Sequence, residues 1–212
     1  MYKPNMTLEN VLDPGVVGEK DLAVVPRSAL FNGEYQSGVK DMDESELFNL
    51  LNSTMQFKER TEQLERDESL KQIIPYFLVR QGDKYLTARR RDKGGDIRLH
   101  GGRLIGFGGH LKAGDIKGKM NAWLQREFDE EIVAEKVLGI SFLGIVDHDG
   151  DEDNGVHKVH FGLLFEIETQ GNIRIREEDN FQDEEFLTVE DLVSKMGEME
   201  IWSRLVTKFL AK

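Results

Sequence analysis

The chain has 212 residues, of which 39% are hydrophobic and 32% charged, and its formal net charge is −12. This length fits one domain with an extension or two small domains, and the composition excludes a chain that is disordered throughout. The acidic balance argues against a long nucleic acid or an anionic membrane surface as a partner, because both need a basic face. The absence of cysteine excludes disulfides, thiolate metal sites and cysteine nucleophiles, and it suits a reducing compartment. Since neither a signal peptide nor a membrane-spanning apolar run is visible, we expect a soluble, cytoplasmic protein.

Residues 1–68 form a weakly patterned N-terminal extension. A short strand is predicted at residues 22–25, and Asp43 is predicted to cap a helix of residues 43–66. Apolar side chains recur in that helix at helical spacing, which predicts one buried face. These side chains are Leu47, Phe48, Leu51 and Met55. Because the extension exceeds what the following domain needs, we expect this face to mediate a homodimer.

Residues 69–212 form the predicted main domain, in which strands and helices are mixed with hairpins. The strands are predicted at residues 73–79, 84–88, 137–146 and 157–168. A glycine-rich stretch of residues 101–110 leads into a helix of residues 119–134, and Thr188 caps a helical C-terminal part. The acidic run Asp147–Asp153 predicts a mobile hairpin loop. This order of elements predicts an α+β fold.

The helix of residues 119–134 carries the candidate chemistry. At about 100° per residue its apolar side chains form one stripe, Glu131 falls inside the apolar arc, and Glu127 falls at its edge. A buried carboxylate without a partner is costly, and three carboxylates this close, with Glu130, repel one another unless a multivalent cation lies between them. Such hard oxygen ligands suit Mg²⁺ or Mn²⁺, and Arg126 would orient one of them. A solvated acidic helix face is the alternative, since the chain has 40 acidic residues.

A local positive charge precedes this helix. Residues 80–112 contain nine basic and three acidic residues, which gives +6 within an acidic chain. Cations and backbone N–H groups hold phosphates while carboxylates hold a metal, so this order of charges is typical of a metal–phosphate site. The candidate substrate-binding residues are Arg89, Arg90, Arg103 and His110. An ordinary arginine-rich surface hairpin is the alternative.

Two stretches of the sequence resemble the Nudix box, G-x5-E-x7-R-E-U-x-E-E-x-G-U, in which U is aliphatic or aromatic. They are GHLKAGD, from Gly109 to Asp115, and REFDEEIVA, from Arg126 to Ala134. The chain departs from the pattern at three points. Asp115 stands at the first glutamate position, ten residues separate it from Arg126 where the pattern has seven, and Val133 replaces the last glycine. An insertion at residues 116–118 would lengthen the loop without moving the arginine–glutamate run.

The resemblance covers residues 70–212, with the box at 109–134, and implies a Nudix-type α/β/α sandwich with a mixed sheet. It also implies a Mg²⁺- or Mn²⁺-dependent hydrolase that cleaves a diphosphate linkage in a nucleoside diphosphate derivative, a small-molecule nucleotide substrate. The implied metal ligands are Gly109, Glu127, Glu130 and Glu131. Arg126 would orient a glutamate, and Glu130 or Glu131 would act as general base.

Two alternatives belong to different functional classes. A catalytically weak or inactive Nudix-like module would bind a nucleotide as a sensor, and the altered spacing and Val133 favour it. Isopentenyl diphosphate isomerase shares the fold, but that family uses a catalytic cysteine and this chain contains none.

Overall fold

The computed structural model describes residues 18–30, 34, 37–92, 100–116, 121–150, 155–176 and 178–212. Most of the predicted insertion at residues 116–118 lies outside this part of the chain. The strands are β1 (Leu22–Pro26), β2 (Ser37–Lys40), β3 (Gln56–Lys58), β4 (Leu70–Gln81), β5 (Lys84–Arg90), β6 (Arg103–Leu104), β7 (Gly106–Phe107), β8 (Ile132–His148), β9 (His160–Ile175) and β10 (Phe181–Thr188). The helices are α1 (Glu44–Thr54), α2 (Ala113–Ile116), α3 (Asn121–Glu131), α4 (Val189–Ser194) and α5 (Ile201–Leu210). No helix in the described ranges is long and apolar enough to cross a membrane.

The strands of the described residues form one mixed sheet. Its main order is β10-β5-β4-β9-β8-β2, with β1, β3, β6 and β7 attached at the sides. β4 and β9 run parallel in the centre, with Gln72 opposite His160, while the other pairs are antiparallel. The strands predicted at residues 73–79 and 84–88 lie within β4 and β5, which form a hairpin. The predicted α+β class with a mixed sheet is therefore confirmed.

Helices cover both faces of the sheet. Side chains alternate along each strand, so successive residues of β4 enter different cores. Ile73, Phe77 and Val79 of β4 belong to a core that includes apolar residues of α1 and α3. The intervening residues, Ile74, Tyr76 and Leu78, belong to a second core that includes residues of α4 and α5. Tyr76 meets Trp202 of α5 edge to face, with ring centroids 5.3 Å apart. The sheet thus lies between two helical layers.

The described N-terminal residues belong to the same sheet. β1 pairs with β3 and β4, and β2 pairs with β8. The prediction of a helix over residues 43–66 is wrong in its second half, since α1 begins after its Asp43 cap and ends at Thr54. The chain then extends as β3 because residues 56–58 find a partner strand in β1, and the charged segment beyond them has no apolar stripe to bury.

The apolar stripe of α1 is buried within the chain itself. Leu47, Phe48, Leu51 and Met55 are at most 7% exposed and lie in the core shared with β4 and α3. The homodimer was expected because this face needed a partner. The homodimer stays a prediction. Its main reason no longer holds, because the apolar face of α1 is already buried within the chain.

The helix boundaries near the box differ slightly from the prediction. α3 ends at Glu131, three residues before the predicted end, because Ile132 to Ala134 already pair with β9 as the start of β8. At the other end of the domain, Thr188 and Asp191 form the predicted capping box of α4.

Candidate functional site

The loop before α3 is held between two strands. The Leu111 N–H donates to the carbonyl of Ile73 in β4 at 3.0 Å, and the Ala23 N–H of β1 donates to the carbonyl of Leu111 at 2.8 Å. Further along, the Ala113 N–H donates to the Asp21 carbonyl at 2.9 Å. The N-terminal residues Asp21 and Ala23 therefore help to fix the position of this loop.

Two glycines let the loop pass close to its neighbours. Gly108 has a φ of +143°, and a Cβ there would lie 1.8 Å from the Pro75 carbonyl oxygen of β4. At Gly109 a Cβ would lie 2.7 Å from Glu127 Oε2. At Gly108 the Cβ would meet backbone, so only glycine fits, whereas at Gly109 a Cβ would displace the Glu127 carboxylate. The Gly109 backbone therefore lies directly against that carboxylate.

The Arg126 side chain contacts three carboxylates, those of Asp115, Glu127 and Glu130. We call these four residues the Arg126 cluster. Arg126 Nε and Nη2 bind Asp115 Oδ1 and Oδ2, each at 2.7 Å, in a fork that aligns the guanidinium. Nη1 contacts Glu127 Oε1 at 2.6 Å and Glu130 Oε2 at 3.0 Å. Nη2 also donates to the His110 carbonyl at 3.3 Å. Asp115, at the first glutamate position of the box, therefore holds Arg126 in place.

The Arg126 cluster carries more negative than positive charge. When its three carboxylates are ionised, one guanidinium leaves an excess of two negative charges, which a divalent cation would balance. Glu127 is only 4% exposed. Burial, which outweighs the attraction of Arg126, raises the pKa of the Glu127 carboxyl above its usual value. The hydrogen bond to Asp115, together with Glu127, raises the pKa of Arg126, so the guanidinium stays charged.

The three predicted glutamate ligands differ in exposure. Glu127 is buried and Glu131 is half-buried, whereas the helical wheel placed Glu131 deeper, because α3 ends at Glu131 and the chain turns into β8. The Glu130 side chain is 55% exposed and leans onto Arg126. Among the described residues no three histidine, aspartate or glutamate side chains converge closely enough to hold a metal ion. A metal would therefore require Glu130 or Glu131 to change rotamer.

His110 is neutral and faces another histidine. His160 Nδ1 lies 2.5 Å from the Val156 carbonyl and must donate to it, which leaves His160 Nε2 to accept from His110 Nε2 at 3.2 Å. Burial, followed by the charge of His160, lowers the pKa of His110 to about 3. At neutral pH His110 therefore offers a phosphate no positive charge.

The three predicted substrate-binding arginines are paired within the chain. Arg90 Nε binds Glu200 Oε1 at 2.6 Å, and its guanidinium lies 5.5 Å from the centroid of the Phe181 ring. Arg103 is buried, and its Nη1 lies 2.7 Å from Glu185 Oε1. The Arg89 Nη1 donates to the Gly101 carbonyl at 2.9 Å. Arg89 and Arg90 are consecutive residues of β5, so their side chains point to opposite faces of the sheet. The role of the three arginines in substrate binding stays a prediction.

A second group of charges escaped the sequence analysis. We call Arg27, Lys71, Asp147 and Asp149 the Lys71 cluster. Lys71 is 1% exposed, and its Nζ lies 2.6 Å from Asp147 Oδ1 and 2.8 Å from Asp149 Oδ1. Arg27 adds a contact to Asp149 at 2.8 Å. The prediction of a mobile acidic loop is wrong for Asp147 and Asp149, because their carboxylates are buried against cations from β4 and from the turn after β1. Residues 151–153 of that predicted loop lie outside the described residues.

Comparison with known proteins places the fold. No protein-family model matches the chain. It is 29% identical to the protein YmaB of Bacillus subtilis over 158 residues, covering 69% of this chain and 74% of YmaB. The crystal structure of Tm1382, described as a candidate Nudix hydrolase, matches with a TM-score of 0.75 at 28% identity, covering 90% of this chain and 98% of Tm1382. DR0079 from Deinococcus radiodurans has a similar fold, with a TM-score of 0.52 at 15% identity over 84% of this chain and 98% of its own.

Proposed function

We propose that this chain, which has the Nudix fold and resembles Nudix hydrolases, cleaves a diphosphate linkage in a nucleoside diphosphate derivative with Mg²⁺ or Mn²⁺ as cofactor. The observation that carries the proposal is the Arg126 cluster, in which three carboxylates meet one guanidinium beside Gly109. The alternative interpretation of the sequence was a solvated acidic helix face. Such a face would leave Glu127 exposed, whereas Glu127 is buried and is paired with an arginine that Asp115 holds.

The residues fit a hard divalent cation by the chemistry of their donors. Glu127, Glu130 and Glu131 would supply carboxylate oxygens, and Gly109, whose backbone lies against Glu127, would supply its carbonyl. The bound metal would supply positive charge at the phosphate oxygens and lower the pKa of a water molecule. The exposed Glu130 has room to leave Arg126 and join Glu127.

The side chains of the chain itself have separate tasks in this proposal. Asp115 holds Arg126, and Arg126 holds the Glu127 carboxylate in a fixed rotamer. Glu130 or Glu131 would accept the proton of the attacking water as its oxygen bonds to phosphorus and the bridging P–O bond breaks. The leaving phosphate takes the electron pair of that bond.

A nucleotide-binding module without catalytic activity is the second candidate. The observation in its favour is that, within the described residues, no three ligands converge and Arg126 already pairs with Glu127 and Glu130. Such a module would bind the nucleotide without cleaving it.

The test measures metal-dependent cleavage of nucleoside triphosphates, dinucleotides and nucleotide sugars by wild type, Glu130→Gln and Asp129→Asn. Asp129 is the matched control, since it is an exposed carboxylate on the same helix and accepts a hydrogen bond from Gln125 Nε2 at 2.9 Å. We expect turnover in wild type and Asp129→Asn, and a loss of at least about 100-fold in Glu130→Gln.

The melting temperature in Mg²⁺ or Mn²⁺ gives a second readout without turnover. A metal at 100 times its Kd adds about 2.7 kcal/mol to the free energy of unfolding, and Glu127→Gln should reduce this gain. Nucleotide binding without cleavage at every metal concentration would overturn the hydrolase and support the second candidate.

A further inference from the structure

The loop from Gly109 to Lys112, which we call the box loop, lies beside the N-terminal strands. Leu22 of β1 pairs with Lys58 of β3 on one side and with Lys112 on the other. Both pairings are antiparallel, so the three side chains point to the same face. The Cα atoms of the two lysines are therefore about two strand spacings, roughly 10 Å, apart, with the buried Leu22 between them. The N-terminal strands thus bring a second cation to the box loop.

The backbone of Lys112 is tied to the Arg126 cluster. Its N–H donates to Asp115 Oδ2 at 2.9 Å, and the same oxygen accepts from Arg126 Nη2 at 2.7 Å. Lys112 is half-buried between two buried neighbours, so its side chain points away from the core. Burial raises the pKa of the Glu127 carboxyl, and this effect is opposed mainly by Arg126 and more weakly by Lys112. An ammonium group therefore lies near the proposed metal ligands without being one of them.

Arg60 adds positive charge from the segment that follows β3. Its side chain is exposed, and its Nε lies 2.8 Å from Glu65 Oε1. Burial and the charge of His160 are the main causes of the lowered pKa of His110, and the charges of Arg60 and Lys112 lower it further. Two cations from distant parts of the sequence are thus close to one side chain of the box loop.

We call Lys58, Arg60 and Lys112 the basic row. We propose that the basic row binds a phosphate group of the substrate, with Lys112 as the main ligand. The inference rests on the proposed function, since a metal at the Arg126 cluster would hold the neighbouring phosphate. A lysine ammonium has three donors on a flexible stem, so Lys112 can keep its contact while the phosphate changes position during cleavage.

The basic row supplies the charge that the predicted phosphate ligands do not. The three candidate arginines of β5 and β6 are paired with carboxylates, and His110 is neutral. The row also gives the N-terminal extension a part in substrate binding, because Lys58 and Arg60 both belong to it.

The experiment measures the binding of methylenediphosphonate, a diphosphate analogue that cannot be hydrolysed, to the full chain by calorimetry with and without Mg²⁺. Lys112→Met removes the charge, keeps an apolar stem beside Leu22 and leaves the backbone bond to Asp115 in place. We expect it to weaken binding at least about tenfold. Lys112→Arg should retain most of the affinity, and Lys58→Met and Arg60→Gln should cause smaller losses.

The kinetic readout separates binding from a structural role. With any nucleotide that wild type cleaves, Lys112→Met should raise KM and change kcat by less than about twofold, because the lost contact exists before and during the reaction. A structural role would instead lower the melting temperature, and Lys112→Arg would not restore the affinity.

The matched control is Lys208→Met, which removes an exposed lysine of α5. Failure of wild type to bind the analogue at millimolar concentration under both conditions would overturn the proposal. Equal binding by Lys112→Met and Lys208→Met would also overturn it. If wild type bound the analogue through Lys112 but cleaved no nucleotide, the hydrolase would fail and the anion site would remain, so the two proposals fail separately.

Discussion

The Arg126 cluster and the Lys71 cluster are both built from ion pairs, but they differ in charge balance and in exposure. Both bring a cation into ion pairs with at least two carboxylates. In the Lys71 cluster two cations meet two carboxylates, and the Lys71, Asp147 and Asp149 side chains are at most 3% exposed. In the Arg126 cluster one cation meets three carboxylates, and the Arg126 side chain is 25% exposed. The Lys71 cluster is therefore balanced in charge and largely buried, whereas the Arg126 cluster has excess negative charge and is partly exposed.

This difference shows which cluster can take up a further cation. A balanced, buried group gains nothing from a divalent ion and would first have to expel Lys71. An unbalanced group at the surface gains from one, and Glu130 can move because it is exposed. The comparison predicts opposite consequences of mutation, with stability depending on the Lys71 cluster and activity on the Arg126 cluster.

Replacement of Lys71 by methionine should have the largest effect on stability. Lys71→Met keeps the bulk of the side chain but leaves Asp147 and Asp149 buried with Arg27 alone. Breaking a buried pair in this way costs about 3–5 kcal/mol, which urea unfolding would measure. The exposed Lys84→Met is the control and should change stability by less than about 0.5 kcal/mol. A Lys71→Met protein as stable as wild type would show that the cluster is not structural.

Replacement of Asp115 by asparagine should affect metal binding more than stability. Asp115→Asn removes the charged fork that holds Arg126, and loss of such a supporting contact weakens metal affinity or turnover by about 10- to 100-fold. Metal titration of kcat would measure this, and Asp115→Glu, which restores the residue of the family pattern, should retain more activity. If Asp115→Asn left both quantities unchanged, Arg126 would not depend on Asp115 for its position.

The sequence predicted the parts of the fold that depend on local patterns. The β4–β5 hairpin has its turn at Gly82, and the α4 capping box spans four consecutive residues, so short-range chemistry was sufficient. The box was found in the same way, because its glutamates share one helix. The helix over residues 43–66 failed beyond Thr54, because pairing of β3 with β1 overrides local propensity.

Contacts between distant residues were not accessible to sequence reasoning. Lys71 and Asp147 are 76 positions apart, and each alone looks like an ordinary surface charge. The same holds for Arg90 and Glu200, whose pairing changes a candidate phosphate ligand into a paired side chain.

The pH dependence of stability provides the finest test of the comparison. Burial, which outweighs Lys71, raises the pKa of Asp147 from 3.8 to about 6. Between these values the folded chain holds more protons at Asp147 than the unfolded chain, so this residue's contribution to stability falls as the pH rises. His110, whose pKa is lowered to about 3, gives the opposite slope below its usual value of 6.5, so wild type alone is not informative.

The informative quantity is therefore the difference in free energy of unfolding between wild type and Asp147→Asn, measured by urea unfolding from about pH 4 to pH 7. His110 is present in both proteins and cancels. We expect wild type to lose stability relative to Asp147→Asn as the pH rises towards about 6, and the difference to level off above it. A difference independent of pH would mean that Lys71 fully offsets the burial of Asp147. Ionised and protonated Asp147 would then be equally stable in the fold, whereas the predicted slope means that burying the carboxylate costs more than its pairing with Lys71 returns.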